Sequence, residues 1–161
     1  MEKIEKVFSL EYGKPLPEGK RVTGEYPVMG SNGVSGYHNE YLIEAPAIIV
    51  GRKCSAGKVV FIENNCYPID TTFYVSPIKE CVMKYLYYVL STMELEKMIK
   101  GIGVPGINRN DVYQKLIPVP DLATQQLLIA EIAAHETNIT AAQKIIDAAA
   151  NKKQAILKKY L

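Results

Sequence analysis

The residues best suited to contact a ligand lie in two short glycine-rich segments of the chain. The first, residues 29–39, contains an Asn-Gly pair and further glycines, which demand turns. From such turns the chain would project the polar groups of Ser31, Asn32, Tyr37, His38 and Asn39. The second, residues 51–58, joins two apolar runs and carries Arg52, Lys53 and Lys58. A cationic hairpin of this kind can bind phosphate through side chains and backbone amides, although a merely solvated hairpin explains the composition equally well.

The overall charge conceals this local excess of positive charge. The 161 residues include 19 Lys and Arg against 17 Asp and Glu, which gives a formal net charge of +2. Between Glu44 and Glu63, however, the sequence contains no acidic residue. Local charge placement matters more than the sum for binding a polyanion. The near-neutral total therefore does not exclude a nucleic-acid ligand.

The sequence contains no recognisable catalytic set. Residues 101–106 match GxGxxG, but a helical pattern precedes them and Pro105 interrupts them, so a dinucleotide site is not indicated. The chain has no Walker A sequence and no GxSxG motif. The Glu-Gly-Lys triplet at 18–20 has no acidic partner on a nearby upstream strand, and His38 and His135 lie in unlike contexts. These absences favour binding over catalysis.

The cysteine and histidine content argues against metal and cofactor sites. The three cysteines, Cys54, Cys66 and Cys81, form no CxxC pair and leave an odd number for disulfides. Free thiols in a reducing cytosol are the expected state. The N-terminus lacks a long apolar run and no stretch of about 18 apolar residues exists, so we expect a cytoplasmic protein without a membrane span.

The composition changes near residue 120 and predicts a body followed by a helical arm. Residues 1–120 hold all 11 glycines and all nine prolines, whereas residues 121–161 hold neither. Within the body, apolar β-branched runs predict strands at 47–50, 58–62 and 71–75. Helical spacing predicts a helix over 81–100, and two prolines predict an extended segment at 116–120. The fold class is therefore α+β, with short strands and a few helices in the body (1–120) and a long C-terminal helix (121–161).

Heptad spacing in the arm predicts pairing with another helix. A helix of 41 residues would extend about 60 Å, too long to pack only on a domain of this size. The heptad register is imperfect at Gln125, His135 and Lys153. The residues expected to form the pairing face are Leu128, Ile132, Ile139, Ala142, Ile146, Ala149 and Ile156.

Several sequence segments together carry a family resemblance. In chain order they are YPVMGSNG at 26–33 with GY at 36–37, IIVGRK at 48–53 with Ser55 and Gly57, YPIDTT at 67–72, KYL at 84–86, GVP at 103–105, and IPVPDL at 117–122 with QQ at 125–126. This pattern resembles the specificity (S) subunit of type I restriction-modification systems. Cys54 departs from the family pattern, which usually has Gly there, so we expect a turn less free to adopt positive φ.

The resemblance implies a DNA target recognition domain over 1–120 and a helical spacer and dimerisation arm over 121–161. A full S subunit repeats this unit twice, reads a bipartite DNA site, and docks methyltransferase (M) subunits, which the restriction (R) subunits join. This chain has one unit, so it looks like a half-length S subunit or a fragment. We expect it to pair with itself, or with a second half-subunit, through the arm.

The roles expected of individual residues follow from their chemistry. Arginine and asparagine form bidentate pairs with guanine and adenine, so the candidates for base contacts are Ser31, Asn32, Tyr37, His38 and Arg52. The candidates for phosphate contacts are Lys53, Ser55, Lys58, Lys100 and Arg109. Two other readings stay open: a recognition segment of a fused restriction-methyltransferase enzyme, and an assembly protein that does not bind DNA. No catalytic residue, metal or cofactor is expected.

Overall fold

The computed structural model of the protein describes residues 1–99 and 106–160. It divides into two compact units, Met1–Leu122 and Ala123–Leu161. The first unit contains three small sheets with short helices, and the second is a single long helix. This architecture confirms the predicted α+β class with a long C-terminal helix.

The elements of the described residues follow one another in a strand-rich order. They are β1 (Glu2–Lys3), β2 (Phe8–Tyr12), β3 (Tyr26–Gly30), β4 (Gly33–His38), β5 (Ala47–Gly51), β6 (Val59–Ile62), β7 (Tyr67–Pro68), β8 (Thr72–Pro77), α1 (Met83–Ser91), α2 (Arg109–Tyr113), β9 (Leu116–Ile117) and α3 (Leu122–Tyr160). Single 3-10 turns lie at Ile4–Lys6, Glu18–Lys20 and Leu95–Met98.

A four-stranded antiparallel sheet forms the centre of the first unit. Its strand order is β2-β8-β5-β6. The three predicted strands are confirmed as β5, β6 and β8, while β2 was not predicted. Every residue of β5 is buried, as expected for a strand covered on both faces.

The two faces of β5 pack against different partners. Ala47 and Ile49 form a buried cluster with Met29 of β3 and with Cys66, which directly precedes β7. This face of β5 therefore packs against the three-stranded sheet β4-β3-β7. Since successive side chains of a strand alternate, Ile48 points to the opposite face. Helix α1 contacts β5 and β6 and buries Leu86 and Leu90. Helix α1 therefore covers the face of β5 opposite to the three-stranded sheet.

Helix α1 is shorter than the predicted helix over 81–100. It ends at Ser91, and a separate 3-10 turn follows at Leu95–Met98. Glu94 adopts a left-handed backbone (φ 48°), which reverses the chain and buries Leu95. The apolar pattern therefore extends beyond the end of the helix, because the 3-10 turn also buries an apolar residue, Leu95.

The last predicted element of the body is confirmed in its extended form. Leu116–Ile117 forms β9 and pairs antiparallel with β1, so the start and the end of the first unit share one small sheet. Buried Ile117 pairs with Glu2.

Helix α3 spans 39 residues, which corresponds to about 58 Å. Ile132 is half-buried, and the other residues of the predicted pairing face are exposed: Leu128, Ile139, Ala142, Ile146, Ala149 and Ile156. Pairing through this face stays a prediction.

Candidate nucleic-acid interface

The two glycine-rich segments meet at one end of the first unit. The β3–β4 hairpin has a two-residue turn at Ser31 and Asn32, within the glycine-rich segment where turns were predicted, and Gly33 follows with a φ of 118°. The β5–β6 loop lies against it, and Lys58 Nζ donates hydrogen bonds to the backbone oxygen (2.7 Å) and Oδ1 (3.1 Å) of Asn32. Between them lies an open cleft of about 360 Å³ lined by Gly30, Ser31, Asn32, Gly33, Val34, Ser35, Lys53, Cys54, Ser55 and Thr71.

A glycine permits this close approach of the two loops. A Cβ added at Gly51 would lie 2.3 Å from the Ser55 backbone oxygen and 2.9 Å from that of Ser31. Both distances are shorter than van der Waals contact allows, and the blocking atoms belong to the backbone. Any other residue at position 51 would therefore push the β5–β6 loop away from the β3–β4 turn.

The backbone oxygen of Thr71 joins the two loops to the start of β8. It accepts hydrogen bonds from Ser31 Oγ (2.5 Å), from Arg52 N (2.9 Å) and from Lys53 N (3.3 Å). The floor of the cleft is thus built from three separate parts of the sequence. Because the Ser31 hydroxyl group donates its proton to this oxygen, only its lone pairs remain for a ligand.

Arg52 is held along one edge of its guanidinium group. Nε (3.1 Å) and Nη2 (2.5 Å) both donate to the backbone oxygen of Asp70. The guanidinium carbon lies 5.2 Å from the ring centroid of Tyr12 and 5.9 Å from that of Phe73, within cation–π range. The N–H groups of Nη1 and the second N–H group of Nη2 make no bond to Asp70. They form the outer N–H fork of Arg52, the edge of the guanidinium group that can pair with guanine O6 and N7.

Arg109, at the start of α2, contacts the same tyrosine. Its guanidinium carbon lies 4.9 Å from the Tyr12 ring centroid, and Nη1 donates to the backbone oxygen of Leu10 (3.3 Å). The segment before α2 is attached to the β5–β6 loop, since Ile107 N donates to Arg52 O (3.1 Å) and Gly106 pairs with Lys53. The structure therefore brings Arg52, Lys53 and Arg109 together.

The positive charges of the loop are not neutralised by ion pairs. Among residues 1–99 and 106–160, the ion pairs include Lys3–Glu5, Lys79–Glu2 and Lys97–Glu94, and none involves a cation of the β5–β6 loop. The bonds that hold Arg52 and Lys58 go instead to carbonyl oxygens. Each side chain is fixed while its full charge remains available to an anionic ligand.

His38 does not suit the base contact expected of it. Its side chain is buried, its Nδ1 accepts a hydrogen bond from Val22 N (3.1 Å), and its ring packs edge-on against Tyr67 at 5.7 Å. The imidazole thus ties the segment before β3 to the end of β4. Tyr37, the preceding residue, is 57% exposed on the same hairpin and stays a candidate.

Two further expectations have specific outcomes. Lys100, a candidate for phosphate contact, lies outside the described residues, as does the 103–105 motif. Cys54 does adopt the left-handed backbone (φ 60°) that its replacement of Gly was expected to disfavour. The turn therefore forms with a side chain at position 54, in a backbone conformation that favours glycine.

Sequence reasoning missed four residues of this region. Tyr12 and Thr71 contact the cationic loop, Asp70 holds Arg52, and Arg21 Nη1 donates to Ser35 O (2.7 Å) at the edge of the cleft. The only available signal was the YPIDTT segment, which includes Asp70 and Thr71. Tyr12 and Arg21 carry no local pattern that marks them.

Other chemistry is sparse in the part of the chain that the structure describes. No group of three or more His, Cys, Asp or Glu residues there could hold a metal ion. None of its helices is both long and apolar enough to cross a membrane. Desolvation raises the pKa of the buried Cys66 thiol to about 12, so this thiol stays protonated at neutral pH.

Comparison of the sequence with known protein families identifies the domain that contains this cleft. Residues 1–151 match the family described as the type I restriction modification DNA specificity domain. The chain belongs to this family. Type I specificity domains are non-catalytic as a family, which agrees with the prediction that the chain is not an enzyme.

Solved structures show the same fold as this specificity domain. The type I restriction-modification S subunit from M. genitalium superposes with a TM-score of 0.75 at 19% identity, over 84% of this chain and 38% of that one. A structure described for complex assembly and conformational transition of the type I R-M system gives 0.72 at 14% identity, over 88% and 39%. The HsdS subunit from Thermoanaerobacter tengcongensis gives 0.67 at 16% identity, over 87% and 38%.

The specificity domain described here thus spans less than two-fifths of the length of these structures. Comparison with curated protein sequences gives no match.

Proposed function

We propose that this specificity domain recognises a short sequence in double-stranded DNA through the cleft between the β3–β4 turn and the β5–β6 loop. The observation that carries the proposal is the fixed orientation of Arg52, whose outer N–H fork is left for a base edge beside two further cations. A fixed arginine fork selects guanine by geometry, and neighbouring lysines attract the phosphates of any sequence.

The proposed roles follow from the hydrogen-bond donors and acceptors that each side chain does not use within the protein. Asn32 and Arg52 contact base edges, with Tyr37 beside them on the exposed side of β4. Lys53, Ser55, Lys58 and Arg109 contact phosphates. Ser31 and His38 are occupied by internal hydrogen bonds and hold the loops in place.

Fluorescence anisotropy with a labelled random-sequence duplex tests DNA binding directly. The full chain is titrated at several salt concentrations, alone and with M subunits. A linear fall of log affinity with log salt is expected, since several phosphate contacts release counterions. Absence of binding under both conditions, at low salt, would contradict the proposal and favour the assembly protein considered from the sequence.

The arm supplies the second half of the proposal, which is pairing between two copies. A bipartite DNA target needs two recognition domains, and the unit Met1–Leu122 is one candidate recognition domain. The exposed isoleucines at 139, 146 and 156 repeat with heptad-compatible spacing, and alanines at 142 and 149 allow close helix approach. We propose that two copies pair through this face and that their two-fold symmetry selects inverted half-sites.

Charge along the arm favours antiparallel pairing of the two copies. Residues 121–136 carry three acidic residues and no lysine or arginine, whereas residues 144–159 carry five lysines and one aspartate. An antiparallel arrangement places the acidic half of each helix beside the basic half of its partner. A parallel arrangement would place like charges together, which costs stability.

The proposed complex includes further subunits. Methyltransferase subunits would supply modification, and restriction subunits would join through them, because the specificity domain supplies no chemistry. We propose a cytoplasmic location, since such a complex would need access to DNA.

A further inference from the structure

The ring of Tyr12 is the common contact of two arginines that are far apart in the sequence. The guanidinium carbons of Arg52 and Arg109 lie 5.2 Å and 4.9 Å from its centroid. Tyr12 is 49% exposed, so this arrangement lies at the surface rather than in the core. Two like charges that share one surface ring repel each other, and the negative face of the ring offsets that repulsion.

The ring itself has a fixed position. Tyr12 ends β2, where its register partner on β8 is Phe73. The two rings pack at 5.0 Å with an interplanar angle of 55°. The next residue, Gly13, is anchored to β8 by a hydrogen bond from its N to Thr72 O (3.2 Å). The Tyr12 ring is thus a rigid surface, and each arginine contacts it while a carbonyl oxygen holds part of its guanidinium group.

We propose that Tyr12 is a specificity-determining positioning residue, which sets Arg52 and Arg109 as one paired recognition unit for a guanine edge and the adjacent DNA phosphate. This inference rests on the proposed DNA-binding function. Tyr12 acts through the arginines, and neither its hydroxyl group nor its charge state is needed for the role. The aromatic face is the property that matters.

Substitution of the ring separates this role from a general structural one. Tyr12→Phe keeps the aromatic face, and Tyr12→Leu removes it while it keeps an apolar side chain. Tyr41→Leu is the matched control, since Tyr41 is also an exposed tyrosine (41%) and packs on another ring, Tyr26, at 5.1 Å. Thermal melting of each full-length variant shows whether it remains folded.

The readout is the base preference of each variant in selection from a randomised duplex library, together with the salt dependence of binding to random duplex. We expect Tyr12→Leu to lower the preference at the position read by Arg52 by about threefold, because Arg52 loses its cation–π contact with Tyr12 and keeps the one with Phe73. Tyr12→Phe and Tyr41→Leu should keep the wild-type preference. The salt slope of Tyr12→Leu should change little, since both charges remain.

A double variant tests whether the effect passes through Arg52. In an Arg52→Ala background, Tyr12→Leu should cause almost no further loss at that base position, since residues that act as a unit are non-additive. Equal losses in both backgrounds, a Tyr12→Leu variant with the wild-type preference, or a Tyr12→Phe variant as impaired as Tyr12→Leu would each overturn the inference. A wild-type chain that enriches no sequence would instead overturn the proposed function on which it rests.

Discussion

Lys58 is bonded to Asn32 twice, since its Nζ donates to the backbone oxygen at 2.7 Å and to the side-chain Oδ1 at 3.1 Å. These bonds fix the orientation of the Asn32 amide at the tip of the β3–β4 hairpin. An ammonium group has three donors, so one donor of Lys58 remains for a phosphate. A single lysine thereby links the residue proposed to read a base with the backbone of the DNA.

Removal of this lysine should weaken binding to every sequence. We expect Lys58→Met to lower the salt slope of random-duplex binding by about 1, the value for one lost phosphate contact. Lys6→Met is the matched control, since Lys6 is an exposed lysine in the 3-10 turn after β1. Anisotropy titrations at several salt concentrations give both slopes. Equal salt slopes for wild type and Lys58→Met would contradict the phosphate contact and would limit the role of Lys58 to its hydrogen bonds with Asn32.

The pairing face of the arm can be tested by two matched pairs of substitutions. Ile139→Glu with Ile146→Glu places charge on the proposed face, and Ala141→Glu with Ala148→Glu places the same charge seven residues apart on another exposed face. Sedimentation equilibrium should show dimers for wild type and the alanine-derived variant, and monomers for the isoleucine-derived one, since buried unpaired charge is costly. A wild-type monomer, alone and on DNA, would contradict pairing, as would a dimer that tolerates both isoleucine substitutions.

The left-handed conformation of Cys54 predicts a stabilising substitution. A residue with a Cβ at φ 60° is strained by about 1 kcal/mol, and glycine removes this strain. We expect Cys54→Gly to raise the free energy of unfolding slightly, by about 0.5 kcal/mol, because greater freedom of the unfolded chain offsets part of the gain. Ser55→Gly should lower stability, since Ser55 has no positive φ. Urea denaturation distinguishes the two variants, and a less stable Cys54→Gly variant would contradict the assignment of strain.

The raised pKa of Cys66 predicts a loss of stability in alkali. The unfolded thiol ionises near pH 9, whereas burial raises the pKa in the folded protein to about 12. Between these values the unfolded state releases a proton that the folded state retains, so stability falls as pH rises. From pH 7.5 to pH 10, wild type should lose about 1.4 kcal/mol more than Cys66→Val, which cannot ionise. Urea denaturation at both pH values measures this difference, and equal losses would contradict it.

The sequence predicted those elements that local patterns determine. The apolar runs of β5, β6 and β8 were recognisable because each is β-branched and bounded by turn residues. The glycine-rich sequence around Ser31 and Asn32 predicted a turn, and the absence of glycine and proline predicted the long α3 helix. The short α1 helix could not be predicted, since its end depends on the left-handed Glu94 and the burial of Leu95 in the core.

The sequence predicted the two loops of the candidate site but not the contacts between them. Both loops were predicted from composition. Their contact depends on Gly51, because a side chain there would collide with both loops. This requirement appears only in the folded protein, where β3 and β5 belong to neighbouring sheets. Tyr12 and Asp70 were missed because they meet Arg52 through the pairing of β2 with β8 and through the β7–β8 connection. The glycine-rich turns predicted that His38 projects from the surface, whereas its side chain is buried and its Nδ1 accepts a hydrogen bond from Val22 N.

Selection from a randomised duplex library, with wild type and Arg52→Lys compared, tests the central claim most directly. Lysine keeps the charge and cannot form the bidentate fork. Wild type should enrich one sequence, and Arg52→Lys should keep its affinity for random duplex within about threefold while it loses ~1–3 kcal/mol of preference at one base position. A wild-type chain that enriches no sequence, or an Arg52→Lys variant with an unchanged motif, would contradict DNA recognition by this cleft.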